Sequence, residues 1–204
     1  MTQSILILLN ALLLNYCTKP DCLELLISNK VIVLEENNRD IEILGSANNG
    51  TADNLILYDF NGVIYMIQEG EDFFCDGEGA AGFELFIYDE KSEQVIPDVY
   101  VPDSLDYTQI PTERFNSLME QSRAKFISNT EVIKANQQIR FKKKVNLKNY
   151  HLEKGAYSLQ VIYFAGKSIS NMVDPRQILE DEEAYDAKIY QGCARSNKVA
   201  LIVK

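Results

Sequence analysis

Apolar residues recur at every second position through the C-terminal part of the chain, and this period constrains the fold more than any other feature. Tyr157, Leu159 and Val161 alternate with polar or smaller neighbours, as a half-buried strand requires. Gly155, just before them, suits a tight approach that a residue without a Cβ makes cheaply. The segment Tyr190 to Val203 reads as a further strand region. Ile139, Phe141, Val145 and Leu147 point one way along another strand, and Arg140, Lys142 and Lys144 point the other. Upstream, Leu25 to Leu34 reads as an opening strand pair, Ile41 to Leu44 as the next strand and Phe83 to Tyr88 as another. Asn61-Gly62, between the apolar runs Asn54 to Phe60 and Val63 to Ile67, predicts a hairpin closed by a type I′ turn. The sum is an antiparallel all-β sandwich over residues 23–204.

Two stretches interrupt the strands, near 97–130 and 166–187. Pro97, Pro102 and Pro111 punctuate the first. Phe115, Leu118, Met119, Ser122 and Phe126 then recur at helical spacing, which predicts one short amphipathic helix with Pro111 and Thr112 at its start. This helix is expected to cover an open end of the sandwich. The second stretch carries Glu180-Asp181-Glu182-Glu183 and predicts a solvated loop with a helical turn. A chain of 204 residues that is 46% hydrophobic, with only 5 Pro and 10 Gly, has the material for a real core.

The formal charge of −10 excludes a general nucleic-acid role, because a phosphate-binding surface needs a basic footprint. The charge is unevenly spread. Between Glu35 and Asp106 stand 18 acidic residues against two basic ones, Arg39 and Lys91. From Lys134 to Lys154 the balance reverses. Two readings follow: acidic and basic strands lie side by side and neutralise each other, or Arg140, Lys142 and Lys144 form a stripe that docks an anionic partner. Basic residues along one strand face also discourage edge-to-edge pairing.

At the N-terminus, Ile5 to Leu14 is an apolar run too short to span a bilayer and of the right length for the core of a secretory signal, although Met1 to Ser4 carries no Lys or Arg. The alternative is a buried N-terminal helix or strand. Leu14-Asn15-Tyr16-Cys17 resembles the lipobox of bacterial lipoproteins, in which the cysteine is acylated. Leu14 fits that pattern, and Asn15 and Tyr16 stand where small residues are usual. Residues 1–22 are therefore read as leader and tether, with Cys17 as the candidate lipidation site. The other cysteines are Cys22, Cys75 and Cys193. A Cys75–Cys193 disulfide is one expectation, and buried thiols are the other.

No residue pattern marks a catalytic centre. The single histidine, His151, lies between strand signals without a nucleophile motif, and is read as a surface residue. One histidine and no Cys-x-x-Cys leave no zinc ligand set, and no cofactor motif is present. The acidic loop with Glu69, Glu71, Asp72, Asp76 and Glu78 offers oxygens for calcium, but lacks the register of an EF-hand and is read as solvated. Asn49-Gly50-Thr51 is an N-glycosylation sequon, and Asp103-Ser104-Leu105 looks like the short O-glycosylation motif of Bacteroidota.

Taken together, the early strand with Ser28-Asn29, the run Val145-Asn146-Leu147 into Tyr150 to Tyr157, and the closing Gly192 to Val199 resemble cell-envelope lipoproteins of Bacteroidota with an immunoglobulin-like sandwich. The layout is also similar to sandwich-type proteinase inhibitors. Gly155-Ala156-Tyr157 resembles the tyrosine corner of immunoglobulin domains, with Leu159 where those domains have a cysteine. The resemblance implies an immunoglobulin-like antiparallel β-sandwich with a short inserted helix. It implies a non-enzymatic binding or structural module at the envelope, lipid-anchored to the membrane, with a protein or glycan partner and no cofactor. An inhibitor is the alternative, and a glycan or peptide hydrolase ranks behind both.

Overall fold

The computed structural model describes residues 22–35, 37–66, 79–98 and 111–204. The leader, Cys17, Cys75, the acidic loop 69–78 and Asp103-Ser104-Leu105 lie outside the described residues. The strands in chain order are β1 (Leu23–Ile27), β2 (Val31–Leu34), β3 (Asp40–Asn49), β4 (Asn54–Leu57), β5 (Ile64–Tyr65) and β6 (Ala81–Tyr88), followed by helix α1 (Thr112–Ser128). Then come β7 (Glu131–Ile133), β8 (Gln138–Asn146), β9 (Gly155–Ala165), helices α2 (Ile169–Met172) and α3 (Pro175–Tyr185), and β10 (Ala187–Ile189), β11 (Gly192–Arg195) and β12 (Val199–Val203).

The fold is mostly β, but it is neither all-β nor purely antiparallel. One sheet has the order β1-β3-β8 and is antiparallel throughout. A large sheet runs β2-β12-β9-β6-β5, with β11 also on β9. A small third sheet is β10-β4-β7. Three pairings are parallel: β2 with β12, β5 with β6 and β10 with β4. The expected opening pair therefore separates, because β1 joins the first sheet and β2 the large one. The inward side chains of both sheets, among them Ile43, Phe141 and Val145 from one and Phe83, Val161 and Leu201 from the other, meet in one hydrophobic cluster. Strand β6 is buried on both faces, so Phe86 joins Ile162 and Phe164 in a second, smaller cluster.

The expected hairpin at Asn61-Gly62 does not form. β4 pairs with β7 and β10, whereas β5 pairs with β6, so the turn carries the chain between sheets. The residue with positive φ is Asp59, at 52°, a conformation that Asp tolerates better than most residues. Gly62 is needed for space: a Cβ there would stand 2.2 Å from the Asp59 carboxylate. Gly155 has no such need, since a Cβ would meet nothing nearer than Tyr157 at 3.9 Å.

Along the far edge of β9 the chain changes partner. β11 pairs with Ile162 to Ala165 and β12 with Gly155 to Leu159, and Ser196-Asn197 lies between them. The Val161 amide donates to Ser196 Oγ at 3.0 Å, and the Ser196 amide donates to the Val161 carbonyl at 2.9 Å, so a hydroxyl stands in for a missing ladder acceptor. Asn197 Oδ1 accepts from the Ile27 amide at 2.7 Å, which ties β1 of the first sheet to the large one. Ser196→Ala leaves the buried Val161 amide without an acceptor. It is expected to cost about 1–3 kcal/mol in urea unfolding, with an unchanged slope.

Candidate binding surface

The helices at one end of the sheets are placed by a buried polar node under the Asp59–Gly62 turn. Period two puts Lys143 on the inward face of β8, between Phe141 and Val145. Its ammonium is 6% exposed as a residue, yet donates to the Phe60 carbonyl at 2.5 Å and the Gly62 carbonyl at 2.6 Å. It also lies 4.6 Å from the centre of the Phe83 ring, a cation–π contact in apolar surroundings. Burial lowers its pKa to about 8, with the negative Asp59 working in the opposite direction. Asp59 is itself buried and accepts from Tyr65 Oη at 2.7 Å and from Asn129 Nδ2 at 2.8 Å.

Asn129 is the C-cap of α1, and its carbonyl accepts from the Asn61 amide at 2.8 Å. The turn fixed by Lys143 thus fixes the end of the helix. Tyr58 secures the rest. Its ring stacks on Phe126, the one buried residue of α1, with centroids 5.8 Å apart, and its hydroxyl donates to Asp181 of α3 at 2.6 Å. Tyr163 Oη in turn donates to the Tyr58 carbonyl at 2.8 Å. Burial first, and then the bond to Asp181, push the Tyr58 phenol well above its ordinary pKa.

Between the C-terminal half of α1 and the joint of α2 and α3 lies an open groove of about 350 Å³. Ile127, Met172, Val173 and Pro175 line its apolar part, and Arg123 stands at its rim, donating to the Asn171 carbonyl at 3.3 Å. The expected amphipathic helix is therefore present, but Leu118 on its expected inner face is half exposed. The 166–187 stretch is two helices, not a loop. Asp174 caps α3 by accepting from the Arg176 amide, Asp181 takes the Tyr58 and Gln177 bonds, and Glu182 accepts from the Ile189 amide.

The other sequence candidates fall elsewhere. Arg140, Lys142 and Lys144 line the exposed face of β8, where Lys142 pairs with Glu42 at 2.7 Å and Lys144 stands opposite Glu42 in register. Acidic and basic strands do lie side by side there. Cys22 and Cys193 are each disulfide-bonded. His151 is an exposed loop residue with Nε2 3.4 Å from an Asp98 carboxylate oxygen. The sequon is a structural turn: Asn49 is buried, donates to the Asp53 and Ile133 carbonyls, and accepts from the Thr51 amide and hydroxyl. A folded chain cannot offer Asn49 to a glycosyltransferase. Among the described residues no three His, Cys, Asp or Glu side chains are grouped to hold a metal.

No protein-family model matches the chain, and no curated protein matches it.

The node sets the alkaline behaviour. Between about 8 and the ordinary lysine value of 10.5, the unfolded chain binds a proton at Lys143 that the folded chain has released, so stability rises with pH there. Buried tyrosines act oppositely above their ordinary value of 10.0: burial raises Tyr190 to about 12 in the fold, so the unfolded chain loses its proton first and stability falls. Thermal melts are expected to show a maximum between these limits. Lys143→Met should abolish the rise from pH 8 and retain the fall.

Proposed function

We propose that this chain is an exported, non-enzymatic binding module of a bacterial cell envelope, with an immunoglobulin-like sandwich as scaffold and Cys17 as its lipid anchor. The observation that carries the binding role is the groove between α1 and the α2–α3 joint. It combines apolar side chains with a guanidinium, and both walls are tied to the core through Tyr58 and Asn129. A rigid scaffold that presents a site at one end is a common design for recognition. Arg123 carries five N–H donors, and its bond to Asn171 leaves others for a partner's carboxylate. The fitting ligand is a protein segment that inserts an apolar side chain beside an acidic one.

Two further observations support the address and the scaffold. Disulfides at Cys22 and Cys193 suit an oxidising compartment. Tyr157 Oη donates to the Glu153 carbonyl at 3.1 Å, four residues upstream, as the tyrosine corner of immunoglobulin domains does. The two sheets that share one hydrophobic cluster favour the same scaffold.

The test compares wild-type chain with the double variant Arg123→Ala, Ile127→Asp as baits for native envelope extract. Both side chains are exposed, so the variant should melt as wild type does. A partner retained in near-stoichiometric amount by wild type and lost by the variant is expected. Equal retention by both baits would exclude the groove as the binding site, and a retained protease would favour an inhibitor.

A further inference from the structure

We propose that the groove between α1 and the α2–α3 joint takes a dipolar helix of a partner protein, with an acidic side chain on Arg123, an apolar one in the middle and a basic one on Asp174. The inference rests on the groove as the binding site and adds a second charge to it. Arg123 and Asp174 both line the groove and both are exposed, and Ile127 and Met172 line it with them. Arg176, close to Asp174 in sequence, is not part of the lining. The groove therefore offers one cation and one anion on an apolar floor.

Each charge is held by the groove's own wall and keeps bonding capacity for a ligand. Arg123 donates one N–H to the Asn171 carbonyl at 3.3 Å, and a guanidinium has several more. Asp174 accepts from the Arg176 amide at 2.8 Å through Oδ1, which caps α3. Among the described residues its Oδ2 has no partner. Both anchors fall on one short segment, Asn171 to Asp174, with Met172 and Val173 between them. Three residues span at most about 10 Å, which sets the scale on which a ligand must spread its charges.

A helix shows positions i, i+4 and i+7 on one face over about 10 Å, with the middle residue between the outer two. A strand needs i, i+2 and i+4 for the same face and spreads them over about 13 Å. The helix is the better match, laid in the groove by its apolar residue. Charge order then selects the partner. A uniformly acidic segment would satisfy Arg123 and be repelled at Asp174, and a uniformly basic one would do the reverse. The positive end of α3 offsets part of the Asp174 charge, which keeps the expected gain modest.

The test uses end-blocked, alanine-based peptides with Glu, Leu and Lys at positions i, i+4 and i+7, and a control with Gln in place of the Lys. Each is titrated into the full chain while the Ile127 and Met172 methyl signals are followed by NMR. The Lys peptide is expected to bind wild type about two- to fivefold more tightly than its control, as an exposed ion pair does, and to lose that advantage at high salt. In Asp174→Asn the Lys should bring no advantage. Asn caps a helix as well as Asp does, so this variant is expected to melt close to wild type. Methyl shifts without any advantage from the Lys, or with one that survives Asp174→Asn, would overturn the dipolar match and keep the groove. Methyl shifts with neither peptide would remove the groove as a binding site, and this inference with it.

Discussion

A lysine ammonium held inside an apolar core is the constraint on which the helical end of this molecule depends. Lys143 sits among Phe60, Phe83 and Phe141, where an unpaired charge would be expelled. It is tolerated because the Phe60 and Gly62 carbonyls face it and Asp59 lies near. Those carbonyls belong to a turn that makes no regular ladder, so the lysine gives the turn a partner and the turn gives the lysine a solvation shell. Removing either leaves the other buried and unmatched, which is the expensive way to lose a polar contact.

The consequences spread along the chain. With the Asp59–Gly62 turn fixed, Asn129 is fixed through two bonds, and with it the last turns of α1 that form one wall of the groove. Tyr58, one residue before Asp59, sets the other wall through Asp181. Apolar burial at the walls is uneven: α1 buries only Phe126 and α3 no residue, while Ile169 of α2 and Val173 at the joint enter the core. Directional bonds to a rigid core add to that limited packing.

How much of this was legible depends on range. The alternation along β8 is a local property, and it correctly separated Phe141 and Val145 from Arg140, Lys142 and Lys144. Carried one step further it puts Lys143 inside, and that inward lysine was the available signal for the node. Phe83 to Tyr88 and the helix beginning at Pro111 were equally readable, because both rest on residues close in sequence. The Asn61-Gly62 hairpin failed because the local preference for a tight turn lost to contacts with Lys143 and Asn129, some 70 to 80 residues away. The parallel pairings and the split of β1 from β2 are likewise decided by distant partners. Helix α3 is hidden in the sequence because its polar face reads as solvated, whereas Asp181 and Glu182 bond inward to Tyr58 and Ile189.

The buried state of Lys143 is open to a nitrogen-detected NMR titration of its ammonium in the folded chain. A midpoint near 8 and slowly exchanging ammonium protons are expected, since both bonds and burial shield the group. A midpoint at the ordinary 10.5 with fast exchange would place Lys143 in solvent, not under the Asp59–Gly62 turn.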